Sequence, residues 1–309
     1  MEINSIMLSK TLENLYIEVE SLLAPNKLYV LQYDRMPDKI LELSGRAYCK
    51  PLVNGDYEIG LLKNEPQLEC VLSHELFHVF LDINDFPNVY SSNRSIGEFS
   101  LEIGHLLNQA VLHKIIVKKQ LGRGLKMEKK QKNRLEGVVD KLSIGTSLND
   151  KDLMRHTVIL TSLMIEAGDY LQEHESELAS KRPFLYAQAR RIYDEINKSQ
   201  YDTPFETRKV LVKLFNTLDH MMNSDEPIEL SKNVLVFYIF SRRQLSLKVT
   251  QVFTLSLNYT NNLLSLFSKS DGQLSLFFED KTRLQMEEIA SMTIEGLFEL
   301  EKLKLITHD

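Results

Sequence analysis

Residues 71–80 read VLSHELFHVF, and the rest of the chain is read outward from them. His74 and His78 are four residues apart. On a helix that spacing stacks two side chains on one face, a turn apart. Two imidazoles so placed can share one tetrahedral zinc ion. Glu75 then stands beside the metal without binding it. Its carboxylate can take the proton of a water molecule that the metal polarises as the water attacks a carbonyl carbon. The neighbours Val71, Leu72, Leu76, Phe77, Val79 and Phe80 are uncharged, which predicts a largely buried helix. Burying two histidines and a glutamate there is costly without compensation, and a metal ion supplies it. The plainer reading is a core helix whose histidines are satisfied by carbonyls.

The flanks predict an α+β chain. Residues 6–23 carry apolar side chains at helical spacing, and the Pro25-Asn26 turn ends them. Residues 28–32 read as a strand and residues 38–43 as a helical turn broken by Gly45. Two further strands, 47–53 and 57–62, are joined by Asn54-Gly55, a strong hairpin signal. Asn64 is a candidate cap for the motif helix, with Pro66 in its first turn and an end near Asp82. A polar loop at 84–95 leads to a second helix over 97–120, stopped by Gly122 and Gly124. The basic segment 126–134 reads as a solvated helix face or linker. Helices are predicted at 151–173, 183–198 and 204–222. Strands follow at 234–240, 248–257, 263–267 and 274–278, then a helix at 282–305. The division that results is 1–125, 126–230 and 231–309: a core with the motif, a mainly helical middle and a small α+β module.

The stretch VLSHELFHVF resembles the extended signature of the zincin metallopeptidases. Residues 28–120 are similar in layout to a minimal zincin core: short strands, a hairpin, the motif helix, a loop and a ligand helix. The small size and N-terminal placement are similar to the ImmA/IrrE-like bacterial and phage peptidases. In those the loop is usually longer and the second helix continues with an alanine-rich run. The resemblance implies one zinc per chain and an endopeptidase acting on a protein or peptide substrate, with Glu75 as general base. In zincins an edge strand can pair with an extended substrate, and the strand over 56–62 is the candidate for that pairing. Appended regions around a small core suggest a regulated enzyme with few substrates. The alternative is a zincin-like binding or regulatory protein with little or no turnover. Retention of Glu75 argues against it, because a structural zinc site needs no such carboxylate.

A zincin also needs a third protein ligand. The metzincin pattern places a histidine six residues after the second motif histidine. That position here is Asn84, and position 81 is Leu81 rather than glycine. The gluzincin pattern takes a glutamate from the following helix. The resemblance implies Glu98, twenty residues after His78, with Glu102 as the second choice or as the acid that orients His74. His105 is a further candidate as ligand. Glu98, Glu102, His105, Gln109 and His113 fall on one helical face. A solvated stripe explains Gln109 and His113 equally simply. His105, His113 and Tyr90 are candidates to hydrogen-bond an oxyanion.

The bulk numbers fit a globular chain of 309 residues, 43% hydrophobic and 26% charged. A net charge of −6 gives no reason to expect nucleic acid or an acidic membrane as partner. Two cysteines, Cys49 and Cys70, with no CxxC pair suit a reducing compartment. The first residues are too acidic for a signal peptide, and no stretch has the length of an apolar span. The expected location is the cytoplasm.

Overall fold

The computed structural model describes residues 8–36, 47–91, 98–125, 149–221 and 228–308. The helical turn expected at 38–43 and the basic segment 126–134 lie outside these residues. The chain is mixed α+β and forms two compact units. One comprises residues 1–85, 112–144 and 163–182, the other residues 86–111, 145–162 and 183–309. No described helix is long and apolar enough to cross a membrane.

The first unit opens with helix α1 (Lys10–Leu23), where the Ser9 side chain accepts from the Leu12 amide. Leu12, Leu15, Val19 and Leu23 form its buried stripe. Three strands follow: β1 (Leu28–Tyr33), β2 (Ala47–Pro51) and β3 (Tyr57–Leu62). Their order in the sheet is β1-β3-β2, with β1 parallel and β2 antiparallel to β3. The Asn54-Gly55 turn joins β2 to β3 as expected, with Gly55 at φ +88. The strand expected to be an edge is therefore the middle strand. Both of its backbone edges are already paired, so β3 has none left for an added strand.

Alternate residues of β3 divide the sheet faces. Tyr57, Ile59 and Leu61 are buried. Glu58 lies on the opposite side, where it accepts from Tyr48 at 2.6 Å and pairs with Lys50 at 2.9 Å. Gly60 lies beneath the Tyr48 ring.

Helix α2 (Leu68–Ile83) carries the motif. Residues 70–77 are all buried, so this helix is apolar nearly all round. It starts later than expected. Asn64 takes a left-handed conformation at φ 64, and Gln67 occupies the cap position. Asn tolerates that conformation, so it serves the turn instead of the helix. Tyr57 hydrogen-bonds Asp82 and ties β3 to the end of α2. Helix α3 (Glu98–Gly122) follows the short strand β4 (Val89–Ser91), and Gly124 beyond it has φ +74.

Helix α4 (Asp150–Ala167) ends earlier than the expected 151–173 because Gly168 turns to φ +55; α5 (Leu171–Lys181) resumes after it. Helices α6 (Pro183–Lys198) and α7 (Pro204–Met221) match the sequence reading closely.

The second unit ends in a three-stranded antiparallel sheet, β6 (Phe253–Asn258), β7 (Leu263–Ser268) and β8 (Leu274–Phe278). Before it lie the short α8 (Leu230–Asn233), β5 (Val234–Val236), α9 (Arg242–Leu245) and α10 (Val249–Val252). β5 pairs with β4. The expected strand 248–257 thus begins as a helical turn. The expected helix 282–305 is two helices, α11 (Arg283–Ser291) and α12 (Ile294–Leu300). The break has a cause: Met292 accepts from the Val249 amide, and the Ile294 amide donates to Leu247. Thr293 then caps the new helix. Phe240, Phe253, Leu264, Leu276, Leu297 and Phe298 lie in one buried apolar cluster of this unit.

A Cβ at position 60 would lie 2.3 Å from Tyr48 Cε1. Gly60→Ala should cost about 1–3 kcal/mol by overpacking, read as a lower urea midpoint. The loss should shrink in a Tyr48→Ala background. An unchanged midpoint in the single variant would show that the ring moves aside freely.

Candidate metal centre

The motif helix does what its spacing predicts. His74 Nε2 and His78 Nε2 are 3.2 Å apart, and the ring centroids are 4.8 Å apart. His74 is buried and His78 half-buried. A third imidazole joins them from α3. His113 lies with its ring centroid 4.8 Å from that of His74 and 5.3 Å from that of His78. One ligand atom from each of the three residues falls within 4.8 Å of the others, close enough to bind a metal ion.

The donor set fits such an ion. With metal–nitrogen bonds of ~2.0–2.1 Å, tetrahedral ligand nitrogens sit roughly 3.3 Å apart. The His74–His78 pair already has that separation. The third nitrogen needs to close by at most ~1.5 Å, within reach of side-chain adjustment. Three neutral imidazoles suit zinc and several other transition metals.

Two carboxylates flank the histidines. Glu75 is 9% exposed and Glu166 5% exposed. Glu166 is near the end of α4, and its Oε1 lies 2.8 Å from His113 Nδ1. Cys49 of β2 lies near Glu75 and Asp82. Burial first, and then the charges of Glu75 and Asp82, push that thiol well above its ordinary pKa. Cys49 is thus a neutral thiol, and the ordinary reactivity of a thiolate is suppressed.

A polar clamp holds α2 and α3 together beside the histidines. Gln120 Nε2 donates to the Cys70 carbonyl at 3.0 Å and to Ser73 Oγ at 2.7 Å. Ser73 in turn donates to the same carbonyl. Gln120 and Ser73 are fully buried. Replacing Gln120 with Met keeps the bulk and deletes both bonds. It should destabilise the protein by about 1–3 kcal/mol, measured by urea unfolding. An unaltered midpoint would mean that the clamp contributes nothing.

None of the other candidates belongs to the three-histidine group. Glu98 and Glu102 precede His113 on α3 by fifteen and eleven residues, roughly 22 and 16 Å along a helix axis. Glu98 is exposed. Both oxygens of Glu102 accept from Arg155, at 2.6 and 2.8 Å. His105 is exposed, and Tyr90 is exposed with its ring 5.1 Å from that of Phe237. The sequence places His113 on the polar stripe of this helix only as an oxyanion candidate, and Glu166 is not singled out there. A signal for Glu166 exists: it is the only charged residue in TVILTSLMIEA, residues 157–167.

Comparison with protein-family models, with curated proteins and with solved structures gives no match to this chain.

Proposed function

We propose that the protein is a zinc-dependent peptidase whose metal is held by His74, His78 and His113, with Glu75 as the general base. The observation that carries this is the meeting of the HExxH pair with a third imidazole among two buried carboxylates. In this reading His113 takes the place that spacing suggested for Glu98 or Glu102.

Charge supports it. With Glu75 and Glu166 ionised, two negative charges would lie beside the imidazoles, and a divalent cation would balance them in a buried site. A structural zinc site is usually closed by four protein ligands, whereas three with an open position is the catalytic pattern. Bound zinc would polarise a carbonyl group and acidify a water molecule. Glu75 follows His74 directly on α2, and its carboxylate would serve as the base beside a metal held by His74. It would take the proton of the attacking water and pass it to the leaving amine. The HExxH motif, with its two histidines beside a third, supports a zincin-like peptidase acting on protein or peptide substrates.

Two measurements test this. Purified protein should carry about one zinc per chain by elemental analysis, and His74→Ala/His78→Ala should carry almost none. Equal metal in both would refute the site.

The second uses a peptide library made from a digested proteome, with new termini read by mass spectrometry. The zinc-loaded parent should generate cleavage products. Glu75→Gln should retain zinc and lose about 10²–10⁴-fold in rate, because an amide cannot take the proton. Undiminished cleavage by that variant would place the chemistry elsewhere. Full zinc with no cleavage by the parent would favour a binding or regulatory protein.

A further inference from the structure

We propose that Glu166 is a positioning residue for the metal, acting through His113. Its carboxylate fixes the imidazole tautomer that leaves Nε2 as the metal-binding nitrogen. This rests on the zinc reading above and adds to it the device that prepares the third ligand.

A neutral imidazole carries one proton and can hold it on either nitrogen. Only the unprotonated nitrogen can bind a metal. An ionised carboxylate can accept a hydrogen bond but cannot donate one. Placed 2.8 Å from Nδ1, Glu166 therefore holds the proton there and exposes the lone pair of Nε2. It also fixes the ring plane, because the bond restrains rotation about the last side-chain torsion.

The surroundings strengthen the case. The Glu166 and His113 side chains are 6% and 8% exposed, so water competes little for their bond. Leu163, Met164, Ile165 and Ala167 around Glu166 are buried. A carboxylate in such a run is retained at a cost in solvation. A surface-facing solvation role is excluded by that burial. The arrangement also raises the electron density of the ligating ring, which strengthens its bond to a cation.

The test compares the parent, Glu166→Gln and His113→Ala by zinc competition with a chromophoric chelator. Long-range proton–nitrogen NMR of the histidines in the zinc-loaded parent accompanies it. Glu166→Gln nearly preserves shape and removes the charge that selects the tautomer. We expect its zinc affinity to fall about 10–100-fold, with a larger fall for His113→Ala. The NMR spectrum should show His113 protonated at Nδ1 and ligated through Nε2.

If His113→Ala weakens zinc and Glu166→Gln does not, the positioning role is wrong while the zinc site stands. If His113→Ala binds zinc like the parent, the three-histidine site itself fails and this inference with it. Ligation through Nδ1 in the parent would overturn the proposal whether or not the variants fold.

Discussion

The buried contact between α2 and α3 is the constraint on which the site depends. Each helix brings polar groups into an apolar interior, where unsatisfied groups cost roughly 1–3 kcal/mol apiece. Gln120 meets the Cys70 carbonyl and Ser73; His113 meets His74 and His78. The two sets share the pair of helices, so the amide clamp fixes the approach that brings the imidazoles together. A small shift in that approach would break both. Sheet and α1 supply the apolar support: Ile59 and Leu61 on β3, Leu12, Leu15 and Val19 on α1, and Leu72 and Leu76 on α2 are all fully buried.

The local parts of this design were legible in the sequence, and the distant ones were not. His74, Glu75 and His78 sit within one helical turn, so their relation follows from helix geometry alone. The hairpin at Asn54-Gly55 was legible for the same reason: its turn chemistry is local. Sheet order is a different kind of fact. Nothing in residues 57–62 says that β1 will occupy the second edge of β3, and the strand nearest the motif was read as an edge when it is the middle strand.

The third histidine shows the same limit within one helix. The stripe from Glu98 to His113 was read correctly as one face, but it runs for about four turns. A crossing helix meets only a turn or two of it. Spacing from His78 pointed to the N-terminal end of the stripe, whereas the three-histidine group uses its C-terminal end. At the N-terminal end Glu102 has a different partner, the Arg155 guanidinium. Arg155 lies on α4, more than fifty residues along the chain, and no pattern in the sequence links the two. Glu166 was hidden by equal remoteness. Its one local trace is a lone acid in an apolar run, which signals a buried partner without naming it.

The two carboxylates at the site are distinguished by their partners, and this gives them different parts. Glu166 is engaged by an imidazole that is itself a candidate ligand, so its charge would act on a bound metal through that ring. Glu75 has the neutral Cys49 thiol near it, a weak donor. A weak donor competes little for the proton that Glu75 would accept in the proposed general-base role. An arginine or lysine in place of Cys49 would hold Glu75 more tightly but would lower its basicity. The raised pKa of the thiol keeps the arrangement from failing in the opposite sense, since a thiolate beside Glu75 would repel it and compete as a metal ligand. The surroundings of Cys49 thus keep its sulfur protonated and spare Glu75 a like charge beside it.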